Sequence, residues 1–96
     1  MATIATASLT AQNTFTTPVT VEGYFNLSIS GTFSATVTVQ RSYDGVNWHD
    51  VDSFNAPAEE VGFEPESVPY RIGVKTGNYT SGTVVIRLGE EDRENH

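Results

Sequence analysis

The feature that most constrains this chain is a one-for-one alternation of apolar and polar residues. In GTFSATVTVQRS, Phe33, Ala35, Val37 and Val39 alternate with Thr32, Ser34, Thr36, Thr38 and Gln40. Successive side chains leave a strand on opposite faces, so this run predicts a β-strand with one buried and one wet face. FNLSIS repeats the pattern with Phe25, Leu27 and Ile29. Gly31 separates the two runs, as a hairpin across it or as one bulged strand through it. Tyr70, Ile72 and Val74 form a further run, and SGTVVIRLG adds Val84, Ile86 and Leu88. WHDVDSF reads as a strand whose phase slips between Trp48 and Val51, which predicts a bulge or an early turn. EVGFE reads as a short edge strand with Val61 and Phe63 pointing inward. Ile4 to Leu9 and Phe15 to Val21 supply two more candidate strands, the first of which also suits an extended arm.

No window carries helical periodicity, and the abundant Thr and Val favour strands through their branched Cβ. Six to eight short strands in 96 residues predict an all-β domain, a sandwich or small barrel, with a small antiparallel β-sandwich of Ig-like or jelly-roll-like type preferred. The expected organisation is an N-terminal arm or edge strand over 1–17, a sandwich domain over 18–89 and a solvated acidic tail over 90–96. The chain suffices for one domain with a thin core.

The charge narrows the partners. Twelve acids against five Lys and Arg give a net charge of −7, which disfavours direct contact with nucleic acid. Six of the acids fall between Asp50 and Glu66. There is no cysteine, hence no disulfide and no thiolate site. No apolar run approaches a membrane span, and the first residues do not read as a signal peptide.

The densest chemistry lies in QRSYDGVNWHDV. Asp44-Gly45 between alternating runs is a turn signature, because Gly supplies positive φ at low cost. Ser42 is placed to accept a bond from a turn amide, and Trp48 to close one end of the core. Ser42, Asp44, Gly45 and Trp48 are thus assigned to a structural turn, against the alternative of a sugar platform built from Tyr43, Trp48 and His49. Asp50 and Asp52, two apart on a strand, are expected to share a face. With Glu59 and Glu60 they are a thin candidate for Ca²⁺, and a solvated acidic face explains them better. His49 and His96 lack the partners of a zinc site or a relay, and no catalytic, cofactor or metal site is assigned. GNYTSG, from Gly77 to Gly82, reads as a polar loop with Tyr79 packing back on the sheet or meeting a neighbour. Arg71 and Arg87 fall out of phase with their apolar neighbours and should point outward.

The assembled pattern resembles small virion proteins of tailed bacteriophages and related prophages. The likeness rests on the Thr/Val alternation leading into QRSYDGVNWHDV, on Tyr70-Arg71, and on GNYTSGTVVIRL, and spans roughly Gly31 to Leu88. It implies a β-sandwich module on the particle surface, without enzymatic activity or cofactor. The favoured station is a head decoration protein bound to the major capsid protein as an oligomer, a trimer around a lattice axis being one form. Assembly would take place in the bacterial host cytoplasm. A tail or neck component and a surface carbohydrate-binding module are the alternatives. The interface candidates are Thr3, Ile4, Leu9 and Phe15 on the arm, Tyr43, Asn47 and His49 at the corner, and Tyr79. Ser42, Asp44, Gly45 and Trp48 also resemble the Asp-box hairpin of sialidase-like propellers. This copy is one residue short and occurs once, so it supports a shaped turn rather than a propeller.

Overall fold

The computed structural model describes residues 2–90. It contains β1 (Ala2–Leu9), β2 (Thr14–Phe15), β3 (Val19–Ser30), β4 (Phe33–Arg41), β5 (His49–Phe54), β6 (Ala58–Gly82) and β7 (Val84–Glu90). All pairings are antiparallel, in the order β1-β7-β3-β6-β4-β5, with β2 also on β6. The fold is therefore all-antiparallel β, a single seven-stranded sheet curled into a sandwich-like half-barrel.

Strand β6 makes the curl. Over 25 residues it pairs first with β3, from Ala58 to Tyr70, and then with β4, from Tyr70 to Gly82. One wall is β1, β7, β3 and the start of β6; the other is the end of β6 with β4 and β5. The shortest dimension of 17 Å suits two walls about 10 Å apart. Between them lie Val21, Leu27 and Ile29 of β3, Val37 and Val39 of β4, and Val68, Tyr70, Ile72 and Val74 of β6. Val84, Ile86 and Leu88 of β7 and Leu9 of β1 complete the core. Each fully buried aliphatic side chain contributes about 1.5–3 kcal/mol.

The walls exchange chain at one corner. β3 and β4 do not pair across Gly31, so neither a hairpin nor a through-running strand is formed. Instead the 30–33 segment leaves one wall as the 82–84 segment returns to it, and the Thr83 amide donates to the Thr32 carbonyl at 2.9 Å. Gly31 and Gly82 have φ of 97° and 92°, and a Cβ on Gly82 would stand 2.2 Å from the Thr32 carbonyl oxygen. Only glycine admits both the backbone turn and the close crossing.

Three expectations need correction. Val61 and Phe63 face outward, at 77% and 55% exposure. EVGFE belongs to β6 and shares its phase with Tyr70, Ile72 and Val74, so the inward positions are Gly62 and Glu64. The Phe25 ring fills the space over Gly62. Glu64, only 3% exposed, accepts the Tyr70 hydroxyl at 2.8 Å and Arg41 Nη1 at 3.1 Å. Burial, then Glu64, pushes the Tyr70 hydroxyl up to about 12, so it remains a donor. Secondly, Gly77–Gly82 is not a separate loop but the bulged end of β6, with Val74 opposite Val37 and Tyr79 opposite Ala35. Thirdly, Phe15 to Val21 does not form one strand. Pro18 divides it, and β3 runs from Val19 to Ser30, with extra residues of β6 between Glu64 and Val68 bulging opposite Val21 to Gly23.

At the front, β1 pairs along β7 with Leu9 in the core, so the first residues form an edge strand of the domain itself. Residues 91–96, including His96 and most of the expected tail, lie outside the described residues.

The phase and the corner are open to a direct check. Gly82→Ala should cost about 1–3 kcal/mol or more in urea melts, because it combines unfavourable φ with a backbone collision. Val61→Ser should change stability by no more than about 0.5 kcal/mol. A large loss at Val61 would mean that the residue faces the core.

Candidate functional site

The corner quoted above is a loop of residues 42–48 between β4 and β5. Ser42 is fully buried, and its amide donates to the Pro69 carbonyl at 3.0 Å, tying the loop to β6. Its hydroxyl accepts the Gly45 amide at 2.8 Å and donates to Asp44 Oδ1 at 2.9 Å. Asp44 Oδ1 also accepts the amides of Val46 and Asn47, each at 2.8 Å, and Oδ2 accepts Asn47 Nδ2 at 2.7 Å. Gly45 carries φ 78°. Asp44 and Asn47 are thus spent on shaping the loop. The amides of Asn47 and Val46, then the Asn47 side chain and Ser42, hold the Asp44 carboxyl far below the usual carboxylate range.

Trp48 does not close the core. It lies half-buried on the outer face, where the Arg71 guanidinium carbon is 4.5 Å from its ring centroid and 4.3 Å from that of Phe15. Arg71 is clamped between the two rings, a cation–π arrangement on both faces. Trp48 misses the interior because residue 71 points outward between Tyr70 and Ile72, and the indole covers that side chain. A polar chain continues from it. Arg71 Nε donates to Gln40 Oε1 at 2.8 Å, Gln40 Nε2 to Asp50 Oδ1 at 2.8 Å, and Lys75 Nζ to Asp50 Oδ2 at 2.7 Å. Lys75, then Gln40, lowers the Asp50 carboxyl.

The expected slip in WHDVDSF takes the form of a bulge: Gln40 faces Asp50, whereas Val39 faces Asp52. Asp50 and Asp52 therefore do not share a face, which removes the geometry of the calcium candidate. Among the described residues no group of three or more His, Asp or Glu is placed to hold a metal ion.

The interface candidates separate. Leu9 is in the core, and Phe15 lies under Arg71. Tyr79 packs back on the core and donates its hydroxyl to the Gly82 carbonyl at 2.8 Å. The side chains of Thr3 and Ile4 lie outside those described. Tyr43, Asn47 and His49 are exposed at the corner, with the Arg41 guanidinium 5.4 Å from the Tyr43 ring centroid. Tyr43 is the one outward ring of this loop, Trp48 being occupied by Arg71. A flat sugar platform from Tyr43, Trp48 and His49 is not assembled.

A different surface carries exposed apolar area. Tyr24 and Phe63 are opposite each other on β3 and β6, with ring centroids 4.8 Å apart and planes tilted by 53°. Tyr24 is 50% exposed, and Val61 continues the patch two residues along β6. Sequence reasoning missed it by placing Val61 and Phe63 inside. The available signal was their odd spacing from Tyr70 and Ile72, provided that 58–82 is taken as one strand.

Beside the patch the half-barrel stays open. Among the described residues, β5 pairs only with β4, and 58–68 of β6 only with β3. Between these unpaired edges lies a cavity of about 130 Å³, floored by Phe25, Leu27, Val39 and Tyr70 and flanked by Val51 and Val61. Asp52 and Glu60 stand at its rim.

No protein-family model, curated protein or solved structure matches this chain.

Two measurements check the corner. Trp48→Ala should destabilise by about 1–2 kcal/mol, the scale of a lost ring–guanidinium contact plus partial burial, and less than a core aromatic costs. Because the Asp44 value is depressed on folding, its stabilisation is complete above the ordinary carboxylate value of 3.8 and is lost as pH falls through the folded value. Carbon-13 titration of that carboxyl should give a midpoint well below 3.8.

Proposed function

We propose that this protein is a non-enzymatic assembly protein of the virion type that its sequence resembles, a head decoration protein that binds a capsid surface as an oligomer. The supporting observation is the Tyr24–Phe63 pair with Val61. These are large apolar side chains on an outer sheet face, in a chain whose thin core leaves little apolar material to spare. Aromatic residues in a contiguous exposed patch are the usual anchors of protein contacts. The tilt between the two rings suits insertion into a partner's surface better than stacking on a flat sugar face. A carbohydrate-binding module is accordingly the weaker alternative, and a tail or neck component differs only in its station on the particle.

The test is addition of purified protein to undecorated phage heads. Saturable binding is expected. The double variant Tyr24→Ala, Phe63→Ser should weaken it about tenfold or more while leaving the urea midpoint nearly unchanged. Absence of saturable binding, or equal binding by the variant, would overturn the proposal. Binding to isolated tails but not to heads would reassign the station.

A further inference from the structure

We propose that the open seam between β5 and the start of β6 is a strand-acceptor site for an extended segment of a partner protein, one that presents apolar residues flanked by Lys or Arg. The proposal stands apart from the virion assignment, because it rests on backbone pairing and charge.

Two strand edges face the same apolar opening. Among the described residues, β5 is paired on one side only, as is β6 from Ala58 to Val68. In an antiparallel pair, alternate residues turn their N–H and C=O groups toward the partner, and the rest turn them away. Both edges thus offer a row of outward donors and acceptors, the template on which an extended peptide adds as a strand. The cavity behind them, about 130 Å³, has the volume of one aliphatic side chain. Val51 and Val61, 47% and 77% exposed, border it from the outer face. An occupant with period-two apolar residues places one of them on this floor.

Charge selects the occupant. Asp52 and Glu60 stand at the rim. Every cation among the described residues is engaged elsewhere. Arg41 is held by Glu64, Lys75 by Asp50, Arg87 by Asn26, and Arg71 by Gln40 and two rings. No described Lys or Arg forms an ion pair with Asp52 or Glu60. An apolar floor under an acidic rim that no described cation neutralises favours a basic strand and repels a second copy of this acidic chain.

The probe is a synthetic octapeptide alternating Val and Thr with a Lys at each end, compared with the same peptide ended by Glu. Hydrogen exchange on the intact protein should show slowed amides in His49–Phe54 and Ala58–Glu64 with the Lys peptide, and not with the Glu peptide. The pair Asp52→Asn, Glu60→Gln should weaken that binding about fivefold. Val51→Arg should abolish it by filling the seam with a cation of its own, and circular dichroism would report an unchanged fold. Absence of protection with the Lys peptide, protection confined to other strands, or equal binding of the Glu peptide would overturn the proposal. So would concentration-dependent protection of the same amides without any peptide, which would make the occupant a second copy.

Discussion

The phase of β6, kept from Ala58 to Val74, is the constraint on which the rest depends. A strand that passes from β3 to β4 must keep one set of side chains inward across that passage, or one wall would turn its polar face to the core; the phase shifts only beyond Val74, at the bulge before Tyr79. Val68, Tyr70, Ile72 and Val74 satisfy that rule with apolar groups. Glu64 satisfies it with a carboxylate, at a desolvation cost that is offset only because Tyr70 and Arg41 both donate to it. The same rule forces Val61 and Phe63 to the outside. An exposed aromatic pair and a buried acid, two features that look unrelated, follow from the register of a single strand.

Alternation made the fold class legible in the sequence, because period two survives without knowledge of the partner strands. The inward runs of β3, β4, β6 and β7 are the ones the pattern selects: Phe25 to Ile29, Phe33 to Val39, Tyr70 to Val74 and Val84 to Leu88. What alternation does not encode is continuity. Pro65 and Pro69 look like strand breaks, since each lacks an amide donor. Here they fall in the stretch where β6 passes from one wall to the other, and the strand tolerates them. Reading across them splits one strand into two and permits an independent phase for EVGFE. Gly77 and Gly82 mislead in the same way, because a bulge and a loop call for the same residue.

The candidate surfaces were legible only in part, for a related reason. Ser42, Asp44 and Gly45 act on backbone groups two or three positions away, so their geometry is local and the sequence carries it. Trp48 acts on Arg71, whose neighbour Phe15 arrives from a different strand. Nothing in the spacing of these three residues announces that they meet. A large indole then looks like core material by default, although an outward arginine flanked by rings buries its face equally well.

The two ends of the sheet are protected differently, and that difference follows the apolar surface behind each. At the β1 end the strand is mostly Ala and Thr, it carries no charge, and Leu9 closes on the core. Among the described side chains, little apolar surface remains there to reward an incoming strand. At the β5 end the opening leads to Phe25, Leu27, Val39 and Tyr70, a floor that rewards any strand able to reach it. Asp52 and Glu60 stand at that rim, where charge opposes promiscuous edge pairing. Had the acids served solubility alone, either edge would have served equally well. Their placement beside the apolar opening turns a hazard into a filter, one that excludes acidic chains such as this one and admits a partner with compensating cations.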